Sequence, residues 1–317
     1  MIIPILSKLV AESLLSLYPT FVKNIDLSLG LQLWSRCFSY VLISALFIDW
    51  TFIYKQLFSK NSILLSAVTA AHIYTSYRGF QLLEGGIAYA LFYTYPLMIL
   101  VLSGEKIRYS IGFAILGVIL IYMNNNDTEG DSKSDTNGDS KPPDFKPTEN
   151  TNLGYIMILL AAFTEALIYF IVREIKTDNN WNHLFISYSS GALATTAYYS
   201  QDIAKMILNT TPSVKKNETS LIFCKDATRP KIHFGRCNIS NFSNNHLSVS
   251  LVINVFIGLF GYILRFFAIS RLSPAIYAPL SYFGIIMAVI YGYIFNGEII
   301  SLVQIIGIIF IVLGLLF

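Results

Sequence analysis

The sequence predicts an all-α integral membrane protein, with ten transmembrane helices arranged as two inverted five-helix repeats. Three observations predict it. Of the 317 residues, 54% are hydrophobic and only 13% charged, against about 25% charged in ordinary soluble domains. The charges are also confined: ten of 41 fall in residues 124–152 and nine in residues 203–246, so what remains is strongly apolar. Finally, the chain repeats a pattern. Tyr89-Ala90-Leu91-Phe92-Tyr93-Thr94-Tyr95-Pro96 runs on to Gly104-Glu105, and Tyr277-Ala278-Pro279-Leu280-Ser281-Tyr282 runs on to Gly297-Glu298. Each is followed by an apolar stretch with spaced glycines, Gly112 and Gly117 in one case and Gly307 and Gly314 in the other.

A span needs about 20 mostly apolar residues. That length places helices at 3–22, 31–50, 62–81, 85–103, 108–123, 153–173, 183–202, 247–269, 274–295 and 299–317. Lys8 and Glu12 interrupt the first apolar run, so it reads as a retained span and not as a cleaved signal peptide. The fifth span is short, and the seventh is polar, with Ser187, Ser189, Ser190, Thr195 and Thr196. Residues 1–123 form the first repeat and 153–317 the second. Between them, residues 124–152 carry seven acidic residues, three lysines and three prolines, a composition that cannot bury a core. Residues 203–246 form a basic insertion within the second repeat, with seven Lys or Arg against two acids.

Short connections set the orientation. With the N-terminus in the cytosol, Lys55, Lys60, Lys106, Arg108, Arg173, Lys176 and Arg271 lie on the cytosolic side, against Lys23 opposite. The C-terminus is then cytosolic as well. Sequons beginning at Asn126, Asn209, Asn217, Asn238 and Asn241 all fall in the two insertions, on the other side; Asn126, Asn217 and Asn238 are the glycosylation candidates. Their sidedness points to a eukaryotic secretory-pathway or plasma membrane. Cys224 and Cys237 share that oxidising side and either bridge or remain free thiols. Cys37 reads as a packing residue of the second span.

The halves match in order. Span 1 has Glu12 and Tyr18, span 6 has Glu165 and Tyr169; Arg78 precedes Tyr89 by eleven residues, and Arg265 precedes Tyr277 by twelve. Five helices per repeat is an odd number, so the second copy enters from the opposite side. The segment from Tyr282 through Gly284, Gly292 and Gly297-Glu298, and its counterpart Phe92-Tyr93-Thr94-Tyr95-Pro96 with Gly104-Glu105-Lys106, resemble EamA-type members of the drug/metabolite transporter superfamily. The resemblance implies that a central cavity between the repeats, lined by spans 1, 3, 4, 6, 8 and 9, carries a small metabolite. Spans 5 and 10 would be peripheral. The extended outer loops depart from the usual pattern.

A charge at mid-membrane costs about 2.5–3.5 kcal/mol on insertion scales, so each needs a partner or a hydrated cavity. Glu12 and Glu165 are either proton or cation sites or structural carboxylates bonded to neighbours such as Lys8. Arg78 and Arg265 form a second symmetric pair of substrate-site candidates. Each either faces the cavity, where a guanidinium suits a carboxylate or phosphate, or snorkels to the interface or pairs with Glu84 and helix carbonyls. The second reading weighs more for Arg78, near a helix end, and the first for the deeper Arg265. Arg36, beside Trp34 and Gln32, reads as interfacial. His72 is a proton relay or a hydrogen-bonded packing residue. Tyr93 and Tyr282, with Tyr89, Tyr95 and Tyr277, stack on a planar substrate or simply pack. Pro96 and Pro279 are kink points. Glu105 and Glu298 offset the dipoles of the helices that follow.

No H-E-x-x-H, G-x-S-x-G, P-loop or C-x-x-C occurs, so no enzyme chemistry, cofactor or metal is expected. With no basic face outside the loops, no nucleic-acid partner is expected either. The expectation is a secondary transporter of a small polar metabolite by alternating access, with proton coupling as one form, embedded in lipid and with homodimerisation left open. The alternative is a transport-inactive membrane scaffold or receptor that uses its outer loops.

Overall fold

A computed structural model describes residues 2–17, 29–83, 85–105, 109–130, 151–200, 219–225, 232–238, 245–291, 293–294 and 301–316. The helices are α1 (Ile2–Leu15), α2 (Leu29–Ser44), α3 (Trp50–Gln56), α4 (Lys60–Leu82), α5 (Gly85–Phe92), α6 (Tyr95–Ser103) and α7 (Tyr109–Gly130). After residue 150 come α8 (Thr151–Glu174), α9 (Asn180–Tyr198), α10 (Asn245–Ile269), α11 (Pro274–Ser281), α12 (Phe283–Tyr291) and α13 (Leu302–Leu316). Two of these stretches, Asn152–Glu174 and Pro274–Tyr291, are long and apolar enough to cross a membrane by themselves.

Local chemistry explains the boundaries. Asp49 caps α3 by accepting from the backbone N–H of Thr51 and Phe52, and Ser59 caps α4 through the N–H of Ser62. Asn179 caps α9 through Trp181 N–H. Each of these side chains satisfies a donor that the first helical turn leaves unpaired. Gly104 ends α6 at φ 69°, a left-handed conformation that glycine adopts without steric cost. The Gly-Glu turn of the sequence therefore marks a helix stop.

Both stretches around the tyrosine-proline segments are broken. The fourth expected span divides into α5 and α6 at Tyr93-Thr94, immediately before Pro96. The ninth divides into α11 and α12 at Tyr282, just after Pro279. Proline lacks the N–H that would continue the ladder. The polar α9 is nonetheless helical, and its hydroxyls are satisfied within it by its own carbonyls: Ser189 donates to Phe185 and Thr195 to Gly191.

Several boundaries differ from the sequence reading. α2 stops at Ser44, and the chain turns into the separate helix α3 before α4. Helix α7 runs to Gly130, past the expected end at 123, so the Asn126 sequon lies on helical backbone. In the 203–246 insertion, β1 (Thr219–Lys225) and β2 (Ile232–Asn238) pair as an antiparallel hairpin, a strand element absent from the all-α expectation. Its register sets Cys224 opposite His233 and Cys237 opposite Ser220. Four residues of offset correspond to about 13 Å along a strand, beyond the Cα separation a disulfide spans. This pairing is incompatible with a Cys224–Cys237 bridge. Asn238 ends β2, whereas Asn217 and Glu298 lie outside the described residues.

The bundle is held by pairings that each join one helix from before residue 130 to one from after residue 150. α1 packs on α10, α4 on α8, α2 on α9, α6 on α11, and α7 on α13. One continuous buried cluster fills the space between them, and a run of polar and charged side chains is buried within it.

Candidate functional site

Helix α1 sets Lys8 and Glu12 one turn apart on its buried face, at 0% and 1% exposure. The Lys8 ammonium lies 2.5 Å from Glu12 Oε1. From α10, Arg265 reaches the same oxygen at 3.4 Å and also binds Glu165 Oε1 on α8 at 2.9 Å. One guanidinium therefore links carboxylates from α1 and α8. Tyrosines close the remaining bonds. Tyr93 donates to Glu12 Oε2 at 3.3 Å and Tyr95 to Oε1 at 3.2 Å. Arg265 donates to the hydroxyls of Tyr95 at 2.8 Å and Tyr277 at 3.2 Å. The Lys8 ammonium also sits 3.7 Å above the Tyr277 ring, where the ring quadrupole attracts it.

The breaks in the two proline segments have a purpose here. The α5–α6 turn brings Tyr93 and Tyr95 together around Glu12, although residues two apart on a continuous helix would not share a face. Gly284, at the start of α12, leaves the room that Tyr93 occupies: a Cβ there would collide with the Tyr93 hydroxyl and lie 2.9 Å from Glu12 Oε2.

His72 on α4 completes the row. Its Nδ1 lies 3.0 Å from the Ala161 carbonyl and its Nε2 3.2 Å from Glu165 Oε2. That oxygen has no aligned hydrogen-bond donor. A carbonyl and a carboxylate both accept, and a neutral imidazole has a single N–H. With the proton on Nε2 the imidazole faces Glu165 as a donor, and the Thr164 hydroxyl, 3.3 Å from Nδ1, is placed to serve the other nitrogen.

Two carboxylates and two basic side chains thus meet in a centre where all four are nearly inaccessible to solvent. Burial of this kind is tolerated only because each charge is paired. Both parts of the chain contribute: Lys8, Glu12, His72, Tyr93 and Tyr95 from one, Glu165, Arg265 and Tyr277 from the other.

Of the residues singled out in the sequence, Glu12, Glu165, Arg265, His72 and Tyr93 come together. Arg78 is half-buried near the end of α4 and does not join them. Tyr282 is buried at the α11–α12 break, but its hydroxyl makes no hydrogen bond to the cluster. Lys8 bonds Glu12, as the structural alternative expected, and Tyr95 and Tyr277 join the centre as hydrogen-bond partners, a role the sequence reading did not give them. The signal for Lys8 was present: a lysine four residues before a glutamate on an apolar helix forms an intrahelical pair.

Arg36 is a correction. Instead of lying at the interface it is 3% exposed within the bundle. Its guanidinium is 5.1–5.7 Å from the ring centres of Tyr40, Tyr77, Tyr188 and Tyr262, and it donates to the Tyr188 hydroxyl at 3.0 Å. Tyr262 also lies 5.8 Å from the Arg265 guanidinium, so this aromatic box adjoins the central charges. The box is built from α2, α4, α9 and α10, which local sequence could not bring together.

Residues 229–317 match the model of the EamA-like transporter family. The match supports an EamA-type member of the drug/metabolite transporter superfamily, a group of integral multi-pass membrane transporters. One solved crystal structure superposes on 98% of this chain and 93% of its own, with a TM-score of 0.60 and 12% identity, and shows a shared fold. No curated protein matches the chain in sequence.

Proposed function

We propose that this chain, matched over its last third by the EamA-like family, is a secondary transporter that moves a small polar metabolite across a membrane by alternating access. The observation that carries the reading is the buried centre itself. Its charges come from both parts of the chain and neutralise one another, so a polar solute that replaces these pairs can separate the two parts without stranding a charge. Two inverted five-helix repeats, residues 1–123 and 153–317, supply the mechanical basis. The helix pairings support this: exchanging the repeats turns the α1–α10 contact into the α8–α4 contact and leaves the pairings α2–α9 and α7–α13 unchanged. Both termini are assigned to the cytosol, and the insertions to the outer face of a secretory or plasma membrane.

Proton coupling follows from the contact of His72 with Glu165. Protonation there weakens the hold of Glu165 on Arg265 and frees the guanidinium for a substrate. The test is reconstitution into liposomes with a panel of labelled polar metabolites. Saturable flux is expected for at least one class, and its stimulation by a proton gradient should vanish in His72→Gln and Glu165→Gln while exchange between labelled and unlabelled substrate persists. Absence of saturable flux for every class, with the fold verified, overturns the proposal.

The hairpin in the outer insertion favours a second reading, in which the chain is a scaffold or receptor. That reading requires deletion of residues 203–246 to abolish the cellular phenotype and Glu12→Gln with Glu165→Gln to leave it intact.

A further inference from the structure

Outside the buried centre, one concave site collects unlike parts of the fold. The end of α8 and the chain after it, Val172, Arg173, Ile175, Lys176, Thr177 and Asp178, face Ser270 and Arg271 at the end of α10 across a cleft of about 360 Å³. Arg173, Lys176 and Arg271 are exposed and form no ion pair among the described residues. With Asp178 they give the cleft a net charge of two positive units.

The two arginines are held in place by neutral groups. Arg173 Nη1 donates to the Tyr169 hydroxyl at 2.7 Å and to the Leu272 carbonyl at 2.6 Å. Arg271 donates to Ser270 Oγ at 3.1 Å, and its guanidinium lies 4.1 Å above the Phe267 ring. Attraction to helix C-terminal carbonyls accounts for cations here, but not for a concavity between two helices, nor for guanidinium groups fixed without a carboxylate. Tethered guanidinium groups lose less freedom on binding an anion, and their donors match the oxygens of phosphate.

We infer that this cleft is a binding site for a phosphate monoester. A monoester carries about −1.5 to −2 charges near neutral pH, which complements the cleft. Basic residues at the membrane edge are also attracted by an anionic leaflet, so the ester is borne either by a lipid headgroup or by a soluble metabolite. The cleft joins the ends of α8 and α10, the helices whose Glu165 and Arg265 meet at 2.9 Å. A ligand spanning it clamps these two helices at one face of the bundle. The site does not depend on the transport reading, because its occupancy is measured without flux.

The test uses the full chain in phosphatidylcholine nanodiscs and follows the thermal unfolding midpoint. One arm adds inorganic phosphate in solution. A second includes phosphatidic acid in the disc, and a control replaces it with phosphatidylglycerol, a diester, at equal surface charge. An increase with inorganic phosphate alone assigns a soluble ester, and an increase with phosphatidic acid alone assigns a lipid; either supports the site. Arg173→Gln with Arg271→Gln should weaken the response about tenfold or more in ligand concentration. Lys176→Gln with Arg271→Gln changes two exposed side chains only, and should also weaken it if the first pair fails to fold. The inference is overturned if neither probe acts, if phosphatidylglycerol acts equally, or if the variants that fold respond like the parent protein.

Discussion

Replacing Arg265 with glutamine tests the central network most directly, because that one side chain touches both carboxylates. At 2.9 Å from Glu165, the Coulomb attraction is about 6 kcal/mol at an effective dielectric of about 20. The cost of burying both ions offsets much of it. Removing one member of a buried pair typically destabilises by about 3–5 kcal/mol, since the remaining charge is left uncompensated. Arg265→Gln leaves Glu12 with Lys8 but Glu165 with His72 alone. The single variant should therefore lose about 3–5 kcal/mol. Glu165→Gln leaves Arg265 paired with Glu12 at 3.4 Å and should cost less. The double variant removes one charge of each sign and keeps the centre neutral. Its loss should fall short of the sum of the single losses by about 1–3 kcal/mol. The assay is reversible unfolding in mixed lipid-detergent micelles for all four proteins. Additivity within about 0.5 kcal/mol would refute the claim that this pair is energetically coupled.

Gly284→Ala places a methyl group on the Tyr93 hydroxyl; overpacking of this kind costs about 1–3 kcal/mol, and Tyr93→Phe in the same chain should recover part of the loss in the same unfolding assay. In Gly117→Val the new Cβ meets the Gly307 carbonyl and comes within 2.9 Å of Ile311 N. The α7–α13 pair should loosen and the folded yield fall, while the folded fraction keeps the parent's substrate affinity in a binding titration. The hairpin register holds Cys224 and Cys237 apart, so both should react with a maleimide without reductant in the denatured chain, counted by mass; a pair that labels only after reduction would contradict the register.

Particular residues show what could be read from the chain alone. The tyrosine-proline segments followed by Gly-Glu were visible as repeated text, and they became the broken pairs α5–α6 and α11–α12, with Gly104 stopping a helix at positive φ. These are local effects, encoded by a missing N–H or a missing Cβ within a few residues. Glu12, Glu165, Arg265 and His72 were legible for a related reason: a charge in an apolar run stands out because its burial is costly. Apart from Lys8, their partners were not. Tyr93 and Tyr95 converge on one carboxylate only because the helix breaks between them. Arg36 looked interfacial from its neighbours Trp34 and Gln32, yet its aromatic box comes from residues up to 226 positions away.

The sequence by itself determined that the chain is built of apolar helices and that a handful of charges must be accommodated among them, because hydropathy, proline and glycine act over a turn or two. Only the tertiary structure decided which opposite charges meet, which tyrosines close the network, and that Arg78 and Tyr282 make no bond to it. Pairing in a low-dielectric interior depends on distances between elements far apart in the chain, and ångström-scale differences in those distances carry the energy.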